Sequence, residues 1–443
     1  MQGQQQESVG AYRLALVLAI VTLSFWAFGH KLYSALLPGL SSGLSLSAAD
    51  TGIARAAVVI GYFLMALPAA FISRNFGYKV GMLFGLGTLA VGMFLFHPAI
   101  ENKSVAYIVM AATVIGSGLA IIEFTVAPLV VALGPKKSAI QRMNFAHFFS
   151  ALGIVIGAAA SERILHDALG KTGDLLGRSL LMPMASVGVI AIALAFFLEI
   201  ANFPAVASAR VTASDNTWAS FRLPLRSHRF RLGVLAQFLA LFAQVTLAGY
   251  AVRYSLAVMP AWTPQIAEAW LFSAMLAFVA GRFVSCVLMF RVEPLLLLMV
   301  FSFAGMLCAA TSLLVSGIVG VYGVVAASFF IAMQFPTIFA HTIRDLGDMA
   351  KSATSIVMFV AFSGTGLVGL IVYALTQHAV RLTMLVPLIC CAGIVACVIA
   401  IRRMERHAPS AYRGPAARPI GVAAAIHSSA RRASADAADN CQG

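Results

Sequence analysis

The chain has 443 residues, length enough for two or three soluble domains. Charged residues make up only 10% and hydrophobic residues 61%, where globular chains carry about 25% charged residues. A water-soluble body of that size lacks the polar groups to cover its surface, and the net charge of +14 lies in connecting segments and the C-terminal tail, a pattern of membrane orientation and not of nucleic-acid contact.

The first ten residues are Gln-rich and lack the basic start of a secretory signal, so the first apolar run reads as a retained helix. Stretches without Asp, Glu, Lys or Arg cover 56–73, 143–161, 179–198, 232–252, 352–380 and 382–401. Each approaches the roughly twenty residues that cross a hydrocarbon core of about 30 Å. Twelve spans follow in order: 12–38, 48–73, 80–97, 104–133, 142–165, 179–201, 232–259, 266–290, 294–316, 318–343, 352–376 and 382–403. The uncharged stretch 294–343 overshoots any bilayer as one helix, so it predicts a hairpin with its turn at Ser316-Gly317 and Gly320. Pro68, Pro128 and Pro336 remove backbone donors inside helices two, four and ten. The glycine pairs Gly81/Gly85 and Gly153/Gly157 have the small-xxx-small spacing of closely packed membrane helices.

Lysine and arginine set the topology. With the N-terminus cytoplasmic, 21 of them fall in inner segments and 5 in outer ones, which predicts both termini inside a cell (inner) membrane. The longest polar interruption lies between helices six and seven. It divides the chain into an N-terminal bundle 1–201, a cytoplasmic linker 202–231, a C-terminal bundle 232–403 and a disordered basic tail 404–443. A short internal repeat fits that division. Lys137-Ser138-Ala139 with Phe145 and Phe148 recurs 214 residues later as Lys351-Ser352-Ala353 with Phe359 and Phe362. The predicted fold class is thus an all-α membrane protein of twelve transmembrane helices in two pseudo-symmetric six-helix bundles.

Ionisable groups at membrane depth need a partner or a water-filled cavity. Glu123 is the most informative, with no other charge for seventeen residues upstream and ten downstream. It reads either as a cavity carboxylate that titrates or contacts solute, beside a wet central chamber, or as half of a structural ion pair. Lys31 sits with His30 among Phe25, Trp26, Phe28 and Tyr33. It either snorkels to the outer leaflet or faces the cavity, where it pairs with Glu123 or holds an anion. His147 is a proton relay, a solute donor or a satisfied core histidine. Arg282 is fourteen residues from Glu268 on one helix, about 21 Å, so the two cannot touch. Arg253 reads as interfacial or as reaching solute, and Gln237, Gln244 and Gln334 suit a polyhydroxylated ligand. Cys286, Cys308, Cys390, Cys391 and Cys397 fall in apolar runs, Cys441 lies in the tail, and no CxxC occurs, so neither zinc nor a redox pair is expected. No Gly-Lys-Ser/Thr phosphate loop and no catalytic constellation is present. The chain therefore reads as neither an ATP-driven pump nor an enzyme, and needs no cofactor.

From about Phe25 to Gln377 the sequence resembles the fucose:proton symporter branch of the major facilitator superfamily. The resemblance rests on Gly61-Tyr-Phe-Leu-Met-Ala-Leu-Pro68, Phe76-Gly-Tyr-Lys-Val-Gly81, Glu123 with Pro128 and Leu133-Gly-Pro135, Arg142-Met-Asn-Phe-Ala146, Ala236-Gln-Phe238, Ala243-Gln-Val245, Gly281-Arg-Phe283 and Gln334-Phe-Pro-Thr-Ile-Phe339. It implies two six-helix bundles around a midplane sugar site, alternating access and proton-coupled uptake. Glu123 matches the family's helix-four glutamate, and Gln237 and Gln244 keep its helix-seven pattern. Ser34 stands where a helix-one acid is expected, Ala127 replaces an Asn, His147 a Gln and Ser150 an Asn. Lys31, three residues before Ser34 and on the same helix face, puts a positive charge about one turn from where the family keeps a negative one.

The residues expected to serve substrate or proton coupling are Glu123, Lys31, His147, Ser34, Ser150, Asn144, Gln237, Gln244 and Trp26, with no metal and no catalytic group. The first reading is a monomeric secondary transporter of a monosaccharide or related small polar solute, embedded in the lipid bilayer and coupled to protons through Glu123. A second is a facilitative or coupled carrier of a small anion such as a sugar acid, using Lys31. A third is a non-transporting membrane receptor.

Overall fold

A computed structural model describes residues 2–43, 47–102, 104–168, 171, 173–208 and 217–407. Twelve long helices occur among them: α1 (Gln2–Gly43), α2 (Ala48–Phe76), α3 (Tyr78–Phe94), α4 (Val105–Ala132), α5 (Ala139–Ala168), α6 (Gly173–Ile200), α7 (His228–Val258), α8 (Pro264–Leu288), α9 (Pro294–Leu314), α10 (Ile318–Ile331, resuming as Gln334–Ile343), α11 (Ala350–His378) and α12 (Leu385–His407). Eleven of them are long and apolar enough to cross a membrane, and α11 adds an apolar stretch at Ala350–Phe362. All twelve expected spans have a helix. The tail expected at 404–443 starts inside α12, and 408–443, with Cys441, lies outside the described residues.

Local chemistry explains several boundaries. At the start of α2 the Ser47 hydroxyl accepts from the Asp50 N–H while the Asp50 carboxylate accepts from the Ser47 N–H at 3.2 Å, a reciprocal cap that satisfies two orphan donors. Gly77, at φ +88°, turns the chain from α2 into α3, a backbone state that favours glycine. The hairpin turn in the uncharged stretch falls at Val315–Gly317, as expected from Ser316-Gly317. Gly320, expected in that turn, instead lies in the first turn of α10, against the Tyr254 hydroxyl. α10 breaks at Ala332-Met333, because Pro336 has no N–H for the carbonyl four residues before it. Pro68 and Pro128 lie within unbroken helices. α1 starts well before the expected residue 12, where the Gln-Gln-Gln-Glu run at 4–7 consists of good helix formers.

The helices pack as two groups. In the first, α4 is the hub, contacting α1, α2, α3 and α5; in the second, α7 contacts α10, α11 and α12, and α9 contacts α10 and α12. α4 is buried without a gap from Ile115 to Val131, which marks a helix surrounded on all sides. The small-xxx-small pairs set the close approaches. A methyl group at Gly153 would meet the Ser24 carbonyl and one at Gly157 the Phe28 carbonyl, both on α1; one at Gly85 would meet Ile122 on α4.

The principal contacts between the groups are α2 with α11 and α5 with α8. These two pairs exchange under a shift of six helices, and the internal repeat marks both. Phe148 of α5 lies 5.6 Å from Phe283 of α8, and Phe362 of α11 lies 4.9 Å from Tyr62 of α2. α4 and α5 also meet α10 and α11, whereas no comparable contact joins α1 to α7 or α8 among the described residues. The groups thus close on each other at one end. That end carries the C-terminus of α12, where Glu405 meets His341 and Arg229 and where Arg402 bonds Glu293 at 2.8 Å.

Candidate functional site

The site begins at Glu123, two-thirds of the way along α4 and only 2% exposed. Its Oε2 has no hydrogen-bond partner. The Tyr62 hydroxyl from α2 adjoins the carboxyl, and the Arg282 guanidinium from α8 acts on it through space. The Tyr62 hydroxyl also accepts the Trp26 indole N–H at 2.9 Å. Trp26 stacks on His30, their ring centroids 6.1 Å apart. Glu123 is thus ringed by polar and aromatic groups from α1, α2 and α8, and it turns its back on lipid. Of the residues expected to line a wet chamber with it, Asn144 and Gln237 are 0% exposed and His147 is 3% exposed.

Arg282 is the second centre. Its Nη1 donates to the His147 carbonyl at 2.6 Å, and its guanidinium carbon stands 4.6 Å from the Phe278 ring centroid. Its Nε has no partner. A cation of one helix group therefore holds the backbone of the other, beside that group's buried carboxyl. A buried charge needs such partners, because the cost of leaving water is otherwise several kcal/mol. His147 keeps its ring nitrogen Nε2 unpartnered and faces Phe335 at 5.5 Å.

One turn nearer the closed end, Asn144 donates to the Thr337 hydroxyl of α10 at 3.0 Å and to the Ile140 carbonyl at 2.9 Å. Gln141 donates to the Met289 carbonyl just past α8 at 2.7 Å. Lys351 stands over the Tyr78 ring at 4.8 Å. These contacts shut the closed end in layers, so Asn144 serves the closure between groups.

On α7, both amide atoms of Gln237 are buried without a partner. Unmade hydrogen bonds of this kind cost about 1–3 kcal/mol. Gln244 lies two turns on along the same face and is half-buried. Gln334 donates to Ser302 at 3.1 Å and leaves Oε1 open. Ser150 is buried one turn from His147. Ser34 is exposed, its hydroxyl donating to the Lys31 carbonyl within α1 at 3.0 Å. Lys31 is half-exposed, and no ion pair joins it to Glu123 among the described residues. Arg253 is exposed over Tyr250.

The structure therefore gathers Glu123, Trp26 and His147 around two residues that the sequence did not single out as a site, Tyr62 and Arg282. It sets Lys31 and Ser34 apart, farther toward the open end. Arg282 stood out in the sequence as a charge in an apolar helix, but its partners lie on helices four and five, beyond the reach of a search along its own helix. Tyr62 gave no signal beyond its place in the Gly61–Pro68 motif.

Comparison with known proteins agrees with this architecture. The sequence matches the profile of the Major Facilitator Superfamily over residues 14–370. It is 28% identical over 374 residues to the L-fucose-proton symporter of Escherichia coli (strain K12), covering 80% of this chain and 85% of that one. It is 24% identical over 389 residues to a Glucose/galactose transporter of Brucella abortus, covering 86% of this chain and 93% of that one. Among solved structures, the major facilitator transporter FucP in the outward conformation superposes with a TM-score of 0.81 at 27% identity, covering 88% of this chain and 99% of that one. The chain belongs to the Major Facilitator Superfamily, in its fucose-permease-like branch.

Proposed function

We propose that the protein is a secondary active transporter that moves a monosaccharide or a related small polar solute by alternating access, with a proton carried on Glu123 as co-substrate. The observation that supports this most directly is the buried carboxyl of Glu123, with one oxygen open, in the field of a guanidinium of the other helix group. Protonation of that carboxyl changes the attraction between α4 and α8, and so biases any equilibrium in which the two groups separate. The relatives described above as an L-fucose-proton symporter and a Glucose/galactose transporter support a sugar as solute.

In this reading the rocking bodies are 1–201 and 232–403, joined by the segment 202–231, with 404–443 as a basic tail. Gln237 and Gln244 bind solute hydroxyls, His147 and Ser150 add donors and acceptors from the facing side, and Trp26 supplies an aromatic wall. The excess of Lys and Arg on the segments at the closed end favours a cytoplasmic face there, with both termini inside the inner membrane. The geometry is then outward-facing, and the chain acts as a monomer in lipid.

Proteoliposomes with an alkaline interior test the reading. For one-to-one coupling, each pH unit supplies about 1.4 kcal/mol, or tenfold accumulation of a labelled monosaccharide, and a protonophore abolishes it. Uptake that only equilibrates, whatever the gradient, would show a facilitative carrier instead.

A further inference from the structure

α12 lies at the edge of the second helix group, its principal partners being α7 and α9. Where it passes the start of α7, at the closed end, the two helices leave an open groove of about 490 Å³. Leu232 of α7 and Ala396, Ile399 and Ala400 of α12 floor it, and His228 and Arg403 stand with them in its lining. A second groove, of about 380 Å³, runs along α7 where Leu235 and Phe238 meet Leu225 of the short helix Thr217–Arg226 and Val360 of α11. Arg231 is the charged residue in that lining.

The two grooves share a polar head. Arg231 donates to Nδ1 of His228 at 2.9 Å, and a guanidinium has no acceptor to offer, so the His228 proton sits on Nε2. Arg231 thus joins the cation of the second groove to a donor of the first, which Arg403 also lines. Neither arginine is in an ion pair among the described residues, and no acidic side chain lines either groove. Glu405 and Asp345 of this end are held by Arg229, and Glu293 by Arg402. The short helix Thr217–Arg226 adds exposed Leu223 and Leu225 beside exposed Arg222 and Arg226, the mixture that suits headgroup depth.

We propose that this is a binding site for an anionic glycerophospholipid, its phosphate held by Arg231, Arg403 and the His228 Nε2–H and its acyl chains laid in the two grooves. Acyl chains cover the apolar floors, and a phosphate supplies the counter-charge that the arginines lack, through charge-assisted hydrogen bonds. In the topology given above this end meets the cytoplasmic leaflet, the one with the negative surface potential of anionic lipids. The site is separate from the solute path around Glu123 and binds lipid whatever solute is carried.

Native mass spectrometry of the delipidated protein, given equal amounts of phosphatidylglycerol and phosphatidylcholine with the same acyl chains, tests the proposal. Phosphatidylglycerol should bind in preference. Arg231→Gln with Arg403→Gln should weaken its binding about thirtyfold, at about fivefold for each arginine removed. Lys136→Gln with Arg291→Gln, which removes the same charge from exposed positions of the same end, should leave its binding unchanged. Ala396→Trp fills the first groove while keeping every charge, and should weaken binding too. A monodisperse detergent-solubilised peak and an unchanged Tm without lipid show that each variant is folded. Equal binding of the two lipids, equal loss in the two double variants, or undiminished binding in Ala396→Trp overturns the proposal.

Discussion

Arg282 is where the structure predicts the largest single-residue effect on the equilibrium between states. Arg282→Met keeps an unbranched apolar stem against Phe278 but removes the bond to the His147 carbonyl. A hydrogen bond to a charged group contributes about 1.5–3 kcal/mol, and a desolvated cation over an aromatic face about 0.5–2 kcal/mol. The new methionine recovers part of the second contribution, so a net loss of about 2 kcal/mol is the central expectation, or roughly thirtyfold in the ratio of closed to open at that end. Thr337→Cys supplies the reporter, since Thr337 is 0% exposed in the layer just below Arg282 and His147. In that background, Arg282→Met should raise the rate of alkylation by a membrane-impermeant maleimide about thirtyfold, read at the Thr337 position by peptide mass mapping. Adding Glu123→Gln should recover part of the loss, because it removes the carboxyl left facing no cation. Equal alkylation rates with and without Arg282 would refute the argument that this residue latches the two helix groups.

Two further variants probe the fold and the binding face separately. Gly153→Leu drives a side chain into the α1 backbone at the Ser24 carbonyl, so it should abolish a monodisperse detergent-solubilised peak, whereas Gly87→Ala, which meets open space, should leave Tm unchanged. Gln237→Leu removes a buried amide with no partner and should raise the Tm of the solute-free protein, by the release of about 1–3 kcal/mol. The same change should weaken solute binding by about tenfold in a thermal-shift titration; a lower Tm together with unchanged binding would place Gln237 outside the ligand site.

What could be read in the sequence follows the physics of each feature. Spans were legible because bilayer thickness fixes how many apolar residues a helix needs, and Gly317 and Pro336 marked the turn and the break of α10. The 214-residue repeat was legible as spacing, and its meaning emerged only when Phe148 and Phe362 were seen at matching interfaces. Glu123 was legible because a lone carboxyl in a long apolar helix has few harmless explanations. Its neighbours were not. Charge alone suggests Lys31 as the partner of Glu123, but the cation that acts on the carboxyl is Arg282, from a helix that begins more than a hundred residues later in the chain. Contacts along one helix follow from a period of 3.6 residues, whereas contacts across helices depend on how whole bundles dock. The earlier starts of α1 and α6 show a milder limit, since helix ends outside the hydrocarbon follow local propensity more than hydropathy.

The account stands on proton carriage by Glu123, and the most direct measurement is the pH of the medium outside de-energised proteoliposomes when transported solute is added. The wild-type protein should draw protons inward with the solute and alkalinise the medium. Glu123→Gln, of nearly the same shape, should produce no alkalinisation while still exchanging labelled for unlabelled solute. Undiminished alkalinisation in Glu123→Gln would contradict the account and move the proton to another group.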